Sequence, residues 1–161
     1  MSDGVPRHKI PRSVLVVIHT PGLQVLMMER AAWPGFWQSV TGSLDRDDEP
    51  PREAAIREVL EETGIDATRH DLVDWGVEND FEIFAKHRHR YAPGVTHNRE
   101  HVFSLRVPQG IAVTLAPDEH SGFRWMSQAE AAAITISWTN CDAILALGTR
   151  HEHSQASNLP S

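Results

Sequence analysis

One stretch constrains the fold of this chain more than any other: REVLEETGI, from Arg57 to Ile65, which carries Glu58, Glu61 and Glu62. Pro50 and Pro51 lie upstream, where a first helical turn does not need the missing N–H. Asp47, Asp48 and Glu49 suit the positive end of a helix dipole. Gly64 follows the last periodic residue and can take the left-handed conformation that closes a helix. Between these ends Ala55, Ile56, Val59 and Leu60 repeat at three- and four-residue spacing, one apolar face. The pattern predicts a helix from about Pro51 to Thr63.

At about 100° per residue the three glutamates fall in one patch. Like charges at this spacing repel, so the patch costs stability. It could be a solvated acidic face. Equally, Mg²⁺ takes several oxygen ligands and accepts substrate phosphates as the remainder, which would turn the repulsion into binding energy. On the helix alone both readings stand.

The preceding residues separate them. From Gly42 the chain reads GSLDRDDEPPREAAIREVLEETGI, which resembles the Nudix box: glycine, five residues, glutamate, seven residues, then Arg-Glu-aliphatic-any-Glu-Glu-any-Gly-aliphatic. Glu49, Arg57, Glu58, Val59, Glu61, Glu62, Gly64 and Ile65 fall in place; six residues rather than five separate Gly42 from Glu49. The extra one falls in the loop LDRDDE, where insertions are tolerated better than in a helix. The resemblance implies the Nudix fold, an α+β domain with a mixed β-sheet sandwiched between helices (α/β/α). Periodicity by itself shows only α+β.

FWQSVTGS, FEIF, HRYAPGV and SWTN are similar to one branch of that family, the pyrophosphatases that act on dihydroneopterin triphosphate in folate synthesis. The branch implies hydrolysis of a pterin triphosphate to dihydroneopterin monophosphate and pyrophosphate. It implies Glu58, Glu61, Glu62 and, from a facing loop, Glu119 as catalytic residues and ligands of Mg²⁺, with Mn²⁺ as a substitute. Arg57 is expected to orient a helix carboxylate, and Gly42 to let the backbone turn tightly beside the metal. Lys9, Arg30, Thr41, Phe81, Glu82, Ile83, Phe84, Arg90, Ser137 and Trp138 are the implied substrate contacts. Glu119-His120 ahead of FRWM matches the branch pattern, while Asp118 next to it is the competing carboxylate. A Nudix enzyme for ordinary or oxidised nucleoside triphosphates is the alternative, since those share a triphosphate and an amide-bearing ring. A non-catalytic ligand-binding Nudix module is less compatible with an intact set of box glutamates.

Other features fit around this reading. KHRHRY is the one dense cationic run, placed to flank a polyphosphate or to be a solvated edge; His87 and His89 lack the partner ligands of a transition-metal site. Arg30 offers a planar fork of donors to phosphate, or a surface ion pair. Net charge −7 argues against nucleic-acid polymers and anionic membranes as partners, leaving a small-molecule triphosphate. A single cysteine, Cys141 in the run CDAILAL, excludes an internal disulfide and suits packing better than chemistry. With no apolar signal or spanning segment, a cytoplasmic location is expected; oligomeric state is not legible.

A single domain is expected over residues 1–148, with a disordered tail at 149–161. Strands are expected at SVLVVIH, QVLMMER, WQSVTG, LVDWGV, DFEIFAK, HVFSLRV, IAVTL and FRWM. Helices are expected at QAEAAAI, capped by Ser127, and from Asn140 to Leu147.

Overall fold

The computed structural model describes residues 7–151. Seven strands and three helices follow in the order β1 (Arg12–His19), β2 (Gln24–Arg30), β3 (Trp37–Gln38), β4 (Val40–Ser43), α1 (Pro51–Thr63), β5 (Asp71–Glu82), β6 (His97–Arg106), β7 (His120–Ser127), α2 (Gln128–Ile134) and α3 (Trp138–Leu145). The sheet runs β3-β2-β1-β6-β5, with β4 also on β1 and β7 on β2. Only β1 and β6 are parallel, paired from Arg12–Arg99 to His19–Arg106; the remaining ladders are antiparallel.

The central strand explains the layering. In β1, Val14, Val16 and Ile18 enter one apolar cluster, with Ala54, Ala55 and Val59 of α1. Leu15 and Val17 point the other way, to a second cluster with Ala131 of α2 and Ala143 and Ile144 of α3. A strand buried on both faces reads as an unbroken apolar run, as VLVVI does. The result is a mixed sheet between helical layers, as expected. Cys141 packs at the edge of the second cluster.

Several boundaries move. LVDWGV and DFEIFAK are not separate strands: β5 runs continuously from Asp71 to Glu82, its register shifting between Asp74 and Glu78 around Gly76 at φ 66°. Ile83 and Phe84 leave it, and KHRHR forms a 3-10 turn within Ala85–Arg90. WQSVTG divides at Ser39 into β3 and β4. IAVTL is no strand, although its alternation is real. Ile111, Val113 and Leu115 pack on the first cluster, while Thr114 N–H donates to the Thr63 carbonyl at the end of α1, 2.8 Å. Burial of one face, not ladder pairing, wrote that pattern.

α3 begins two residues before the expected Asn140, at Trp138, because Ser137 caps it by accepting from Asn140 N–H. Of the tail expected from Thr149, residues 149–151 are helical and His151 is 2% exposed, inserted beside the second cluster. The rest of that tail lies outside the described residues.

Candidate active site

α1 starts at Pro51 with Pro50 as an extended cap and ends on Gly64 at φ 73°, whose N–H returns to the Leu60 carbonyl. Its polar face is organised by Arg57. The guanidinium donates to both oxygens of Glu49 (3.1 and 3.0 Å), to the Ser43 carbonyl (3.1 Å) and to Glu58 Oε1 (2.8 Å). It also pairs with Asp45 at 3.1 Å. Glu49 is buried, and Arg57 beside it holds its carboxyl below the usual range. The longer loop closes on the same carboxylate, since Asp45 N–H donates to Glu49 Oε1 at 2.7 Å and Glu49 N–H to the Arg46 carbonyl at 3.1 Å. The additional residue is therefore absorbed upstream of the helix.

Gly42 is required by contact. A Cβ there would stand 2.1 Å from Glu58 Cδ, so the glycine lets β4 lie directly against that carboxylate. Glu58 and Glu62 face inward together, and burial pushes both carboxyls up; for Glu62 the charge of Glu58 adds to the effect. Glu62 is 1% exposed, and among the described residues its Oε2 has no hydrogen-bond partner. Glu61 does not join them: it is largely exposed and reaches back to Arg57 at 3.6 Å.

β7 supplies the facing side. His120 is buried, and among the described residues neither ring nitrogen has a hydrogen-bond partner; Nε2 lies 3.6 Å from Glu62 Oε1. Burial, then Arg30, pushes its pKa down to about 4, so the ring is a neutral donor of lone pairs. Glu62, Glu119 and His120 each offer a ligand atom, all within 4.8 Å of one another. His120 is the member sequence reasoning noticed only as the neighbour of Glu119.

Glu119 and His120 border a cavity of about 730 Å³ lined also by Lys9, Arg30, Gly42, Glu58 and Arg90. Carboxylates and cations line the same space. Burial, then Arg90 and Arg30, pushes the Lys9 pKa down to about 8; an anion bound between them would relieve that crowding. A smaller recess of about 110 Å³ adjoins, lined by Phe81, Ile83, Phe84, His87 and Tyr91 with the same three cations. Trp33 packs at its rim, 6.5 Å from Phe84 and 5.9 Å from His87 between ring centres, with Lys86 Nζ 2.8 Å from its own centre. His87 is thus an aromatic contact.

The other expected contacts line neither of these two spaces. Glu82 turns outward and pairs with Arg88 at 2.5 Å. Thr41 is half-buried on β4, opposite Leu15. Ser137 caps α3 and meets Thr139 Oγ1 at 3.1 Å, and Trp138 is 55% exposed. α3 is nonetheless joined to the strand that feeds the site. Asn140 Oδ1 accepts from Ser39 N–H and its Nδ2 donates to Ser39 Oγ, both at 2.9 Å.

An acidic helix face closed by Gly64, an arginine hub and a glycine against a carboxylate define a class of protein. The NUDIX domain model matches residues 9–145, and the chain belongs to the Nudix family. It is 45% identical over 147 residues to the dihydroneopterin triphosphate diphosphatase of Escherichia coli (strain K12), covering 89% of this chain and 95% of that one. The Haemophilus influenzae protein of the same name is 41% identical over 141 residues, covering 86% and 87%. The solved structure of the E. coli dihydroneopterin triphosphate pyrophosphohydrolase superposes with a TM-score of 0.81 at 44% identity, over 87% of this chain and 96% of that one.

Proposed function

We propose that the chain hydrolyses dihydroneopterin triphosphate to dihydroneopterin monophosphate and pyrophosphate, in the cytoplasm, with Mg²⁺ as cofactor and Mn²⁺ able to replace it. The observation that carries this reading is 45% identity along nearly the whole length of a relative bearing that activity's name.

The donor set fits a divalent cation. Glu62 Oε2 and both His120 nitrogens are buried without hydrogen-bond partners, and two inward carboxylates crowd one another. Such groups cost free energy until something pairs with them. Glu58, Glu62 and Glu119 would hold the ion, with His120 a donor that suits Mn²⁺ better than Mg²⁺. When bound, the metal neutralises phosphate charge and supplies an activated water.

The remaining work belongs to the chain. Arg57 fixes the Glu58 carboxylate, so the ligand is aimed before substrate arrives. Lys9, Arg30 and Arg90 line the cavity with the carboxylates and suit a triphosphate tail, stabilising the charge that spreads over its oxygens. Phe81, Ile83 and Phe84 provide an apolar wall beside those cations. The test is a hydrolysis panel comparing dihydroneopterin triphosphate with nucleoside triphosphates, with products separated into pyrophosphate and single phosphate. A clear preference in kcat/KM for the pterin, with pyrophosphate released, is expected; equal or better turnover of dATP or an oxidised guanine nucleotide would move the chain to the nucleotide-hydrolysing alternative.

A further inference from the structure

Glu100 is a buried carboxylate that the phosphate chemistry does not use. It lies on β6, is 5% exposed, and belongs to none of the ion pairs among the described residues. The Thr139 hydroxyl donates to its side chain, and among the described residues its Oε1 has no hydrogen-bond partner. Two residues earlier on the same face, Asn98 is 3% exposed; it gives its amide nitrogen to Ser13 Oγ at 2.7 Å and leaves Oδ1 without a partner. Two buried, unused acceptors therefore stand roughly 7 Å apart along one strand. A lone buried carboxylate without a cation is expensive, and a polar group kept in that state calls for an occupant that donates.

Position says what the occupant is attached to. Across the ladders Glu100 pairs with Ser13 of β1, and Ser13 with Ser43 of β4, which lines the catalytic cavity. Two strand spacings, about 10 Å, separate Glu100 from that cavity wall. Asn98 pairs with Phe81, which lines the apolar recess. On the other side Thr139 bonds Ser137, the cap of α3. A cleft of about 150 Å³ opens beside this row, lined by Asn79, which pairs with Glu100 across the ladder, by Val102, two residues along β6, and by Thr139 of α3.

We infer that Glu100 reads the ring of the substrate, accepting the ring N–H and the 2-amino group of a 2-amino-4-oxopyrimidine, with Asn98 Oδ1 as an adjoining acceptor. This rests on the substrate reading above. The donor pair is the edge that reduced pterins present and guanine shares; adenine offers an acceptor at the corresponding ring nitrogen and is disfavoured. A carboxylate meeting two N–H donors side by side forms the short, charge-assisted contact that such sites use for orientation. Burial holds the Glu100 pKa up at about 7, and two donors would pull it back down, favouring the ionised form.

The inference is tested with wild type, Glu100→Gln and Glu100→Asp against dihydroneopterin triphosphate, dGTP and dATP. Glu100→Gln keeps the shape but must turn an N–H toward the donor pair. The expected result is a fall of about 10- to 100-fold in the ratio of kcat/KM for dihydroneopterin triphosphate to that for dATP, mostly in KM. Glu100→Asp should retain part of that ratio, and it carries the test should the glutamine variant not fold. A merely structural role would lower the melting temperature and leave the ratio within about threefold, which overturns the inference while the substrate reading stands. If wild type itself shows no preference for the pterin, the substrate reading fails; the dGTP-to-dATP ratio still decides Glu100, falling in Glu100→Gln if it reads the shared edge and staying constant if it does not.

Discussion

His120 and His151 are buried to about the same degree, 4% and 2% exposed, at opposite places in the molecule. His151 uses both ring nitrogens: Nδ1 meets Ser104 Oγ at 2.5 Å and Nε2 meets Asp71 Oδ2 at 2.8 Å. Ser104 also accepts the Trp75 indole N–H at 2.7 Å, and Arg106 pairs with Asp71 at 3.3 Å. The chain of bonds is complete and pins residues 147–151 to the sheet. Among the described residues His120 uses neither nitrogen, and it faces Glu62, whose Oε2 is likewise without a partner. A polar group whose bonds are all made inside the protein is a fastening; one whose bonds are unmade is half of a binding site.

That contrast predicts opposite phenotypes. The largest effect is expected from Glu62→Gln, which should lower kcat by about 10²-fold or more while the metal-free melting temperature holds or rises. Activity within a few-fold of wild type would take Glu62 out of the metal site. Next, Glu119→Gln should cost at least about tenfold in kcat and Asp118→Asn almost nothing. The reverse ranking would hand the role to Asp118, and two silent mutants would remove this loop from the chemistry. On the fastened side, His151→Ala should destabilise by about 2–4 kcal/mol in urea unfolding, because it leaves a void and strips partners from Ser104 and Asp71. Its kcat at 25 °C should stay within about twofold, and a selective loss of activity in folded protein would break the comparison.

The smallest effect is one of pH. Without metal the folded-state pKa of Glu62 lies above its ordinary 4.5, through burial first and Glu58 second. The raised pKa means the contribution to stability is fully present below about 4.5 and drains away as pH rises toward the folded value. A cation that pairs with the ionised form reverses this, so the rise in melting temperature given by Mg²⁺ should grow from pH 5 to pH 8 in wild type. It should be small and nearly flat in Glu62→Gln. Equal growth in both proteins would place the ion elsewhere.

How far the sequence discloses this follows from what each signal encodes. α1 was legible to its ends, because Pro51 and Gly64 are chemically committed to starting and stopping a helix. The two-faced burial of β1 was legible as an apolar run. Residues 111–115 misled, since alternation records a buried face and says nothing about whether a neighbouring strand is there to pair. The box put three glutamates in one patch. Only the folded chain separates them, with Glu61 exposed beside Arg57 while Glu62 goes inward beside His120, 58 residues further on in the chain. Glu100 was invisible for the same reason: in NREHVF it looks like the wet side of a strand, yet it is 5% exposed and bonded by Thr139 of α3.

The pair of bonds between Ser39 and Asn140 carries a consequence for how the enzyme is made. The residues they join are separated by 101 positions, and the parallel pairing of β1 with β6 spans nearly as much chain. Non-local closures of this kind are slow and come late. On a ribosome extending the chain at about 5–20 residues per second, the acidic helix α1 would emerge several seconds before Asn140. For that interval the nascent protein holds its acidic face without the strand junction that positions it. A chain cut short before α3 is therefore expected to accumulate as a species with an exposed second core and no working site, material for quality control and not a weaker enzyme.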